Sequence, residues 1–305
     1  MVIKHLVLSG GGPSGFYTYG ALKHLCISEY FKMENIETVY GTSIGACIGT
    51  ILCLKYDWEI IDDYLIKRPW NKIINISPEI LFDIWKTKGL LDRTIISEII
   101  SPLLKANDLN TELTLSEFYE FTKIDLHMFT VDVNSNAFNI VDLSYKTHPD
   151  LPLITALYMS CAIPFVFKPV IMDGACYIDG GVKINFPVEK CLEHTKCADL
   201  EILVFKNIWS INPTTYYVTE DTSLFQYWTF LMRLLLKESS TESEQPDLPN
   251  TVKCIIDKFS SFDEWIGSIN EKEIRLSSIK KGELFGEMFM LNQKQPPSRL
   301  TEGPK

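Results

Sequence analysis

The 305-residue chain holds no apolar run of eighteen or more residues, the length a membrane-crossing helix demands, so no transmembrane segment is expected. A secretory leader is not expected either. The opening run Ile3-Lys4-His5-Leu6-Val7-Leu8 is too short an apolar stretch for one and is followed by glycines, not a cleavage site. Positive charge is scarce, with 29 Lys and Arg against 39 Asp and Glu for a net charge of -10. That balance argues against nucleic acid as a partner, because phosphate-backbone binding needs clustered cations. It also weakens attraction to anionic membranes, so peripheral lipid contact would rest on apolar insertion or on a local patch such as Lys86 and Lys88. The eight cysteines form no C-x-x-C pair, and several lie in apolar runs where a thiol serves as a small hydrophobe. A reducing, cytoplasmic setting is the expectation. No internal repeat is present.

Apolar residues, by contrast, make up 46% of the chain, enough to bury a sizeable core. Within that background stands Gly41-Thr42-Ser43-Ile44-Gly45, preceded by the β-branched Thr38-Val39-Tyr40 and followed by the apolar residues 46–54. The string reads as a nucleophile elbow, in which a tight strand-to-helix turn lifts the serine hydroxyl clear of the sheet. The helix N-terminus behind it favours developing negative charge. A G-x-S-x-G string alone arises by chance; its strand-turn-helix setting is what carries the reading.

Upstream, Leu6-Val7-Leu8 reads as a buried strand entering Ser9-Gly10-Gly11-Gly12-Pro13-Ser14-Gly15, with Phe16, Tyr19, Leu22 and Leu25 then recurring at helical spacing. Gly10-x-Gly12-x-x-Gly15 matches a dinucleotide fingerprint, but the next strand ends in Ser43 and not in a ribose-binding acid. The alternatives are a plain tight turn and a row of glycine N–H groups that accept an oxyanion. Asp92 and Thr114-Leu115-Ser116-Glu117 carry helix-start signals. Residues 127–133 and 138–143 suggest two paired strands around Asn134-Ser135-Asn136, and Cys176-Tyr177-Ile178 and Ile202-Leu203-Val204-Phe205 suggest two more. Strands interleaved with helices predict a three-layer α/β/α fold with a mostly parallel central sheet.

A serine nucleophile needs a base. Of His5, His24, His127, His148 and His194, only His148 falls in a loop. Asp179-Gly180-Gly181, at the end of the Cys176-Tyr177-Ile178 strand, is the better placed candidate, although an Asp-Gly pair is also an ordinary turn. Cys191, His194 and Cys197 recur on one helical face and raise the question of a metal, yet a fourth ligand is not apparent, and neither a metal nor another cofactor is expected.

Three pieces, the glycine loop from Gly10 to Gly15, the elbow from Gly41 to Gly45, and Asp179-Gly180-Gly181, together resemble the patatin-like phospholipase family in order and separation. Gly89-Leu90-Leu91-Asp92, residues 114–132 and Met159-Ser160-Cys161-Ala162-Ile163-Pro164 look like family segments as well, so that the resemblance covers roughly residues 4–206. It implies a lipid acyl hydrolase of phospholipase A or lysophospholipase type, with Ser43 as nucleophile, Asp179 completing a dyad without histidine, and the backbone of Gly10, Gly11 and Gly12 as oxyanion hole. Gly15, Gly41, Gly45, Gly180 and Gly181 support the motif. Family members commonly carry Arg or Lys just before the last glycine of the loop, where this chain has Ser14. Losing one oxyanion donor typically costs about 100-fold to 1,000-fold in turnover, so a weak or silent lipid-binding or protein-interaction relative is the rival reading, beside a neutral-lipid esterase.

Residues 1–206 are accordingly expected to form the catalytic core, and 207–305 a mainly helical extension. Within the extension, residues 224–236 read as an apolar helix, buried or lipid-docking. Residues 237–250 read as a flexible polar loop, 252–279 as helix, and 292–305 as a fraying tail.

Overall fold

The computed structural model describes residues 2–73, 84, 86–210, 218–224, 226–227, 230–231, 247–257 and 262–294. Most of the expected helix at 224–236 and loop at 237–250, and the tail beyond 294, lie outside the described residues.

The strands in chain order are β1 (His5–Leu8), β2 (Thr38–Thr42), β3 (Gly89–Leu91), β4 (Asp125–Asp132), β5 (Asn139–Leu143), β6 (Phe165–Phe167), β7 (Val170–Met172), β8 (Ala175–Asp179), β9 (Ile202–Trp209) and β10 (Thr251–Ile256). The main sheet runs β10-β9-β1-β2-β4-β8-β7, with β5 also on β4, while β3 and β6 form a separate pair. From β10 to β4 every pairing is parallel; β8, β7 and β5 are antiparallel additions at one side. The mixed sheet with helices on its faces is the α/β architecture expected from the sequence.

Strand side chains alternate between two cores, as the two-residue period of a strand requires. Leu6, Leu8, Leu203 and Phe205 join the larger cluster on one face; Val7, Tyr40, Ile202 and Val204 join a smaller cluster on the other. Full burial of each such side chain stabilises the fold by about 1.5–3 kcal/mol before the entropy cost of ordering. Helices α1 (Gly15–Ile27), α2 (Ile44–Cys53), α4 (Arg93–Ala106) and α6 (Leu153–Cys161) supply the larger core, together with α3 (Trp58–Lys67) and α5 (Leu115–Thr122). Asp92 accepts a hydrogen bond from the Thr94 N–H at the start of α4, and Thr114 with Glu117 forms a capping box on α5, the two helix starts signalled by the sequence. Val188 and Cys191 of α7 (Val188–Thr195) pack into the smaller cluster.

After residue 206 the described elements pack onto the sheet and helices already named. Helix α9 (Lys272–Lys294) lies against α1 so closely that a Cβ at Gly20 would stand 2.0 Å from the Ile279 carbonyl oxygen, and one at Gly282 2.1 Å from that of Tyr17. The stretch 252–279 is not helical throughout. Val252, Cys254 and Ile256 are buried and alternate with the exposed Lys253 and Ile255, and the segment pairs in parallel with β9. Its alternation is short, and the partner edge that fixes it as a strand comes from tertiary structure. Helix α8 (Phe262–Asn270) follows.

Candidate active site

Strand β4 sets the geometry. Its early residues pair with β2, ending at Thr42 opposite Phe129; along the same edge β8 arrives from the other direction and ends with Asp179 opposite Thr130. The two carboxyl ends therefore meet. Ser43 Oγ donates a hydrogen bond to Asp179 Oδ2 at 2.6 Å, and Gly181 N–H donates to Asp179 Oδ1, also at 2.6 Å.

Ser43 sits at φ 55°, ψ -123°, a conformation that costs a non-glycine residue of order 1–3 kcal/mol and persists only where the surroundings enforce it. Here they do. Its N–H donates to Ser160 Oγ at 3.0 Å, and α2 starts immediately behind it. The turn admits no side chain at its flanks, since a Cβ at Gly45 would lie 2.3 Å from the Leu8 carbonyl oxygen and one at Gly41 2.6 Å from the Ala46 nitrogen. Gly15 opens α1 and Gly180 opens the short turn after Asp179.

Both side chains are buried, at 5% exposure for Ser43 and 4% for Asp179. Burial pushes the Asp179 carboxyl up to about 6, against the opposing pull of the Ser43 hydroxyl and the Gly181 N–H. Desolvation penalises the charged form, while hydrogen bonds to the carboxylate favour it. The group is thus poised to take a proton near neutral pH.

Above the serine lies a cavity of about 140 Å³. Ile48, Ile51, Ile96, Ile99 and Phe167 line it, with Trp265 of α8 at one side, and its lining carries no charged residue. Cys47 and Cys161 also face it, their sulfurs 3.6 Å apart. The Cys161 thiol is pushed well up by its contact with Cys47 and by burial, so it stays protonated and is a poor nucleophile.

The sequence model of patatin-like phospholipases matches residues 6–192, more than half of the chain. The chain belongs to the patatin-like phospholipase family. A probable lipid hydrolase, 463L, of Invertebrate iridescent virus 6 is 27% identical over 276 residues, covering 90% of this chain and 92% of its own length. A patatin-like phospholipase domain-containing protein of Yarrowia lipolytica is 25% identical over 203 residues, 60% of this chain and 23% of its own. The crystal structure of VipD from Legionella pneumophila superposes with a TM-score of 0.47 at 16% identity, over 92% of this chain and 67% of that one. Membership of the family assigns the chain to lipid ester hydrolysis in general terms.

Against the family pattern, the glycine loop is the part that departs from expectation. Gly10 gives its N–H to the Asn185 carbonyl oxygen at 2.9 Å and its carbonyl accepts from Asn207 Nδ2 at 3.1 Å. The Gly10 N–H is thus engaged within the protein, and the residue acts as a strut of the loop. The N–H groups of Gly11 and Gly12 have no acceptor among the described residues. Gly12 adopts φ +56°, and a Cβ there would meet Trp265 Nε1 at 2.6 Å. Ser14, in the place of the family's basic residue, is fully buried and its hydroxyl donates to the Gly11 carbonyl oxygen at 3.0 Å. A hydrogen bond thus braces the loop where family members commonly carry a cation.

No histidine among the described residues bonds to Ser43. His148 Nδ1 meets its own neighbour Thr147, and His5 Nδ1 meets Thr38. Cys191 is buried in the smaller core, and His194 faces Asp142 and His127, so Cys191, His194 and Cys197 do not converge on one point. Sequence reasoning missed Asn185, Asn207 and Trp265 as parts of the site. Asn207 left a signal, a polar amide following the apolar run Ile202-Leu203-Val204-Phe205 in the same strand; Trp265 left none.

Proposed function

We propose that the chain is a serine acyl-ester hydrolase of phospholipase A or lysophospholipase type. The observation that carries the reading is the 2.6 Å hydrogen bond to the buried Asp179 carboxylate from Ser43 Oγ, whose residue lines an apolar cavity. The cavity suits an acyl chain, because apolar lining with a few convergent polar groups at one end favours an apolar ligand with one polar centre.

In the proposed reaction Asp179 takes the proton from Ser43 Oγ as that oxygen bonds to the ester carbonyl carbon. The carbonyl oxygen, now negative, is held by the N–H groups of Gly11 and Gly12 and by the positive end of α2. Collapse breaks the bond to the alcohol, which leaves with the proton from Asp179. A water then repeats the sequence on the acyl-serine, giving free fatty acid and restoring both side chains. The substrate would be met at a lipid surface through peripheral contact in the cytoplasm; among the described residues no helix is long and apolar enough to cross a membrane.

The test is fatty-acid release from phospholipid, lysophospholipid and triacylglycerol dispersions, run beside labelling by a fluorophosphonate probe. Wild type should be labelled and active on phospholipid, and Ser43→Ala neither. Labelling of Ser43→Ala, or unchanged hydrolysis by it, would remove the dyad. Triacylglycerol hydrolysis without phospholipid hydrolysis would reassign the substrate. An unlabelled, inactive wild type would leave a lipid-binding or protein-interaction module.

A further inference from the structure

At the opposite end of the parallel strands from Ser43, a second polar cluster is built into the fold. Asp125 and His127 stand two residues apart on β4 and so share a face; Asp142 comes from the adjacent β5 and His194 from the last turn of α7. His127 is almost fully buried, and the Tyr40 ring stacks flat on its imidazole at 4.4 Å and 3°. Asp142 Oδ2 lies 2.8 Å from His127 Nδ1 and 3.8 Å from His194 Nδ1. One ligand atom from each of His127, Asp142 and His194 falls within 4.8 Å of the others.

We propose that this cluster binds one divalent transition-metal ion of the zinc class through His127 Nδ1, His194 Nδ1 and a carboxylate oxygen of Asp142. The donor set is the first argument, since two imidazoles and a carboxylate suit zinc. Spacing is the second. Metal–ligand bonds of 2.0–2.1 Å in a tetrahedral site put ligand atoms roughly 3.3 Å apart; the two separations from Asp142 Oδ2, 2.8 and 3.8 Å, straddle that value, and one ligand atom from each of the three residues lies within 4.8 Å of the others, so side-chain adjustment alone brings them into range. The third is the outer shell. Metal-bound histidines characteristically donate their other ring N–H to a carboxylate, which fixes the tautomer. His127 Nε2 already lies 3.2 Å from Asp125 Oδ2, an oxygen also held by Lys146 at 2.8 Å. Asp125 Oδ1 is buried without a partner among the described residues, so the outer carboxylate has acceptor capacity to spare. A cavity of about 700 Å³, lined also by Thr38, Ser144 and Thr147, opens onto the cluster and leaves room for a water in the fourth position. The ion would fasten β4, β5 and α7 together and take no part in the ester chemistry. This inference does not rest on the hydrolase reading.

The test uses the full chain, equilibrated with zinc, desalted and analysed for retained metal, with thermal melting measured before and after. One zinc per chain and a higher melting temperature are expected of wild type. His194→Gln, at a half-exposed position, and Asp142→Asn should each weaken zinc binding at least 100-fold, and Asp125→Asn about 10–100-fold as an outer-shell change. Circular dichroism checks that each variant is folded; if Asp142→Asn is not, His194→Gln decides alone. A wild type that retains no zinc, the four side chains then serving as an ion-pair network only, overturns the proposal. So does retention by His194→Gln equal to wild type, or loss of retention in Cys197→Ser alone, which would move the metal to the thiols.

Discussion

Thr42 and Asp179 occupy neighbouring positions along one edge of β4, opposite Phe129 and Thr130, although 137 residues of chain separate them. A parallel strand and an antiparallel one thus end head to head, and the hydroxyl of the next residue, Ser43, reaches the carboxylate within the rigid frame of the sheet. The positions of hydroxyl and carboxylate are consequently set by backbone hydrogen bonds and need no loop to order when substrate arrives, the arrangement that positional catalysis favours.

Because the Asp179 carboxyl is held at about 6 by burial, hydrolysis is expected to fall as pH drops through that region, where the base becomes protonated. Initial rates on a soluble ester between pH 4.5 and 8.5 check this. His148→Ala should leave the profile where it is; a displaced acid limb in that variant would point to a histidine base.

The same carboxylate burdens the fold. Its folded-state value lies above the unfolded value near 3.9, so its contribution favours the folded state at low pH and is lost as pH rises from about 4 through about 6. At pH 8 the cost is of order 3 kcal/mol. Asp179→Asn should therefore melt at higher temperature than wild type at pH 8 while losing activity, and the advantage should vanish near pH 4. Equal melting at both pH values would show that burial does not penalise the charge.

Removing the Ser160 hydroxyl leaves the Ser43 N–H buried and unsatisfied, at a cost of about 1–3 kcal/mol. Ser160→Ala is expected to lower the unfolding free energy by that amount, read as a fall in the urea midpoint at unchanged m, and to reduce kcat more than it changes KM, because it loosens the strained turn and touches no acyl chain. Denaturant titration and steady-state kinetics on the same preparation test both halves.

Ile96 is buried against the apolar cavity. Ile96→Trp should shorten the space for the acyl chain, lowering kcat/KM for long-chain esters by about tenfold or more relative to butyrate, at a stability cost of about 1–3 kcal/mol for overpacking. An unchanged chain-length profile would place the acyl chain elsewhere.

Gly45→Ala puts a methyl group where the Leu8 carbonyl oxygen stands. Both sides of that contact are backbone, so neither can yield by a rotamer change. Loss of soluble, cooperatively melting protein is expected, checked by calorimetry.

The glycine loop, the elbow and Asp179-Gly180-Gly181 were legible because turns that demand glycine leave a mark in the sequence itself. So were the caps at Asp92 and Thr114, where side chains bond to backbone two or three residues away. Strand β10 was read as helix because six residues of alternation decide little until β9 offers an edge. The engagement of the Gly10 N–H was not legible, because its acceptor, Asn185, lies far along the chain.

Local chemistry, then, is what the sequence determined on its own: which residues turn, which cap, which faces are apolar, and which hydroxyl and carboxylate stand at strand ends. Tertiary structure decided what those groups meet. The Ser43–Asp179 bond, the engagement of Gly10, the brace from Ser160 and the wall formed by Trp265 all join segments more than a hundred residues apart. Such contacts have no sequence period to announce them; they follow from strand order and register, which the whole packed sheet selects.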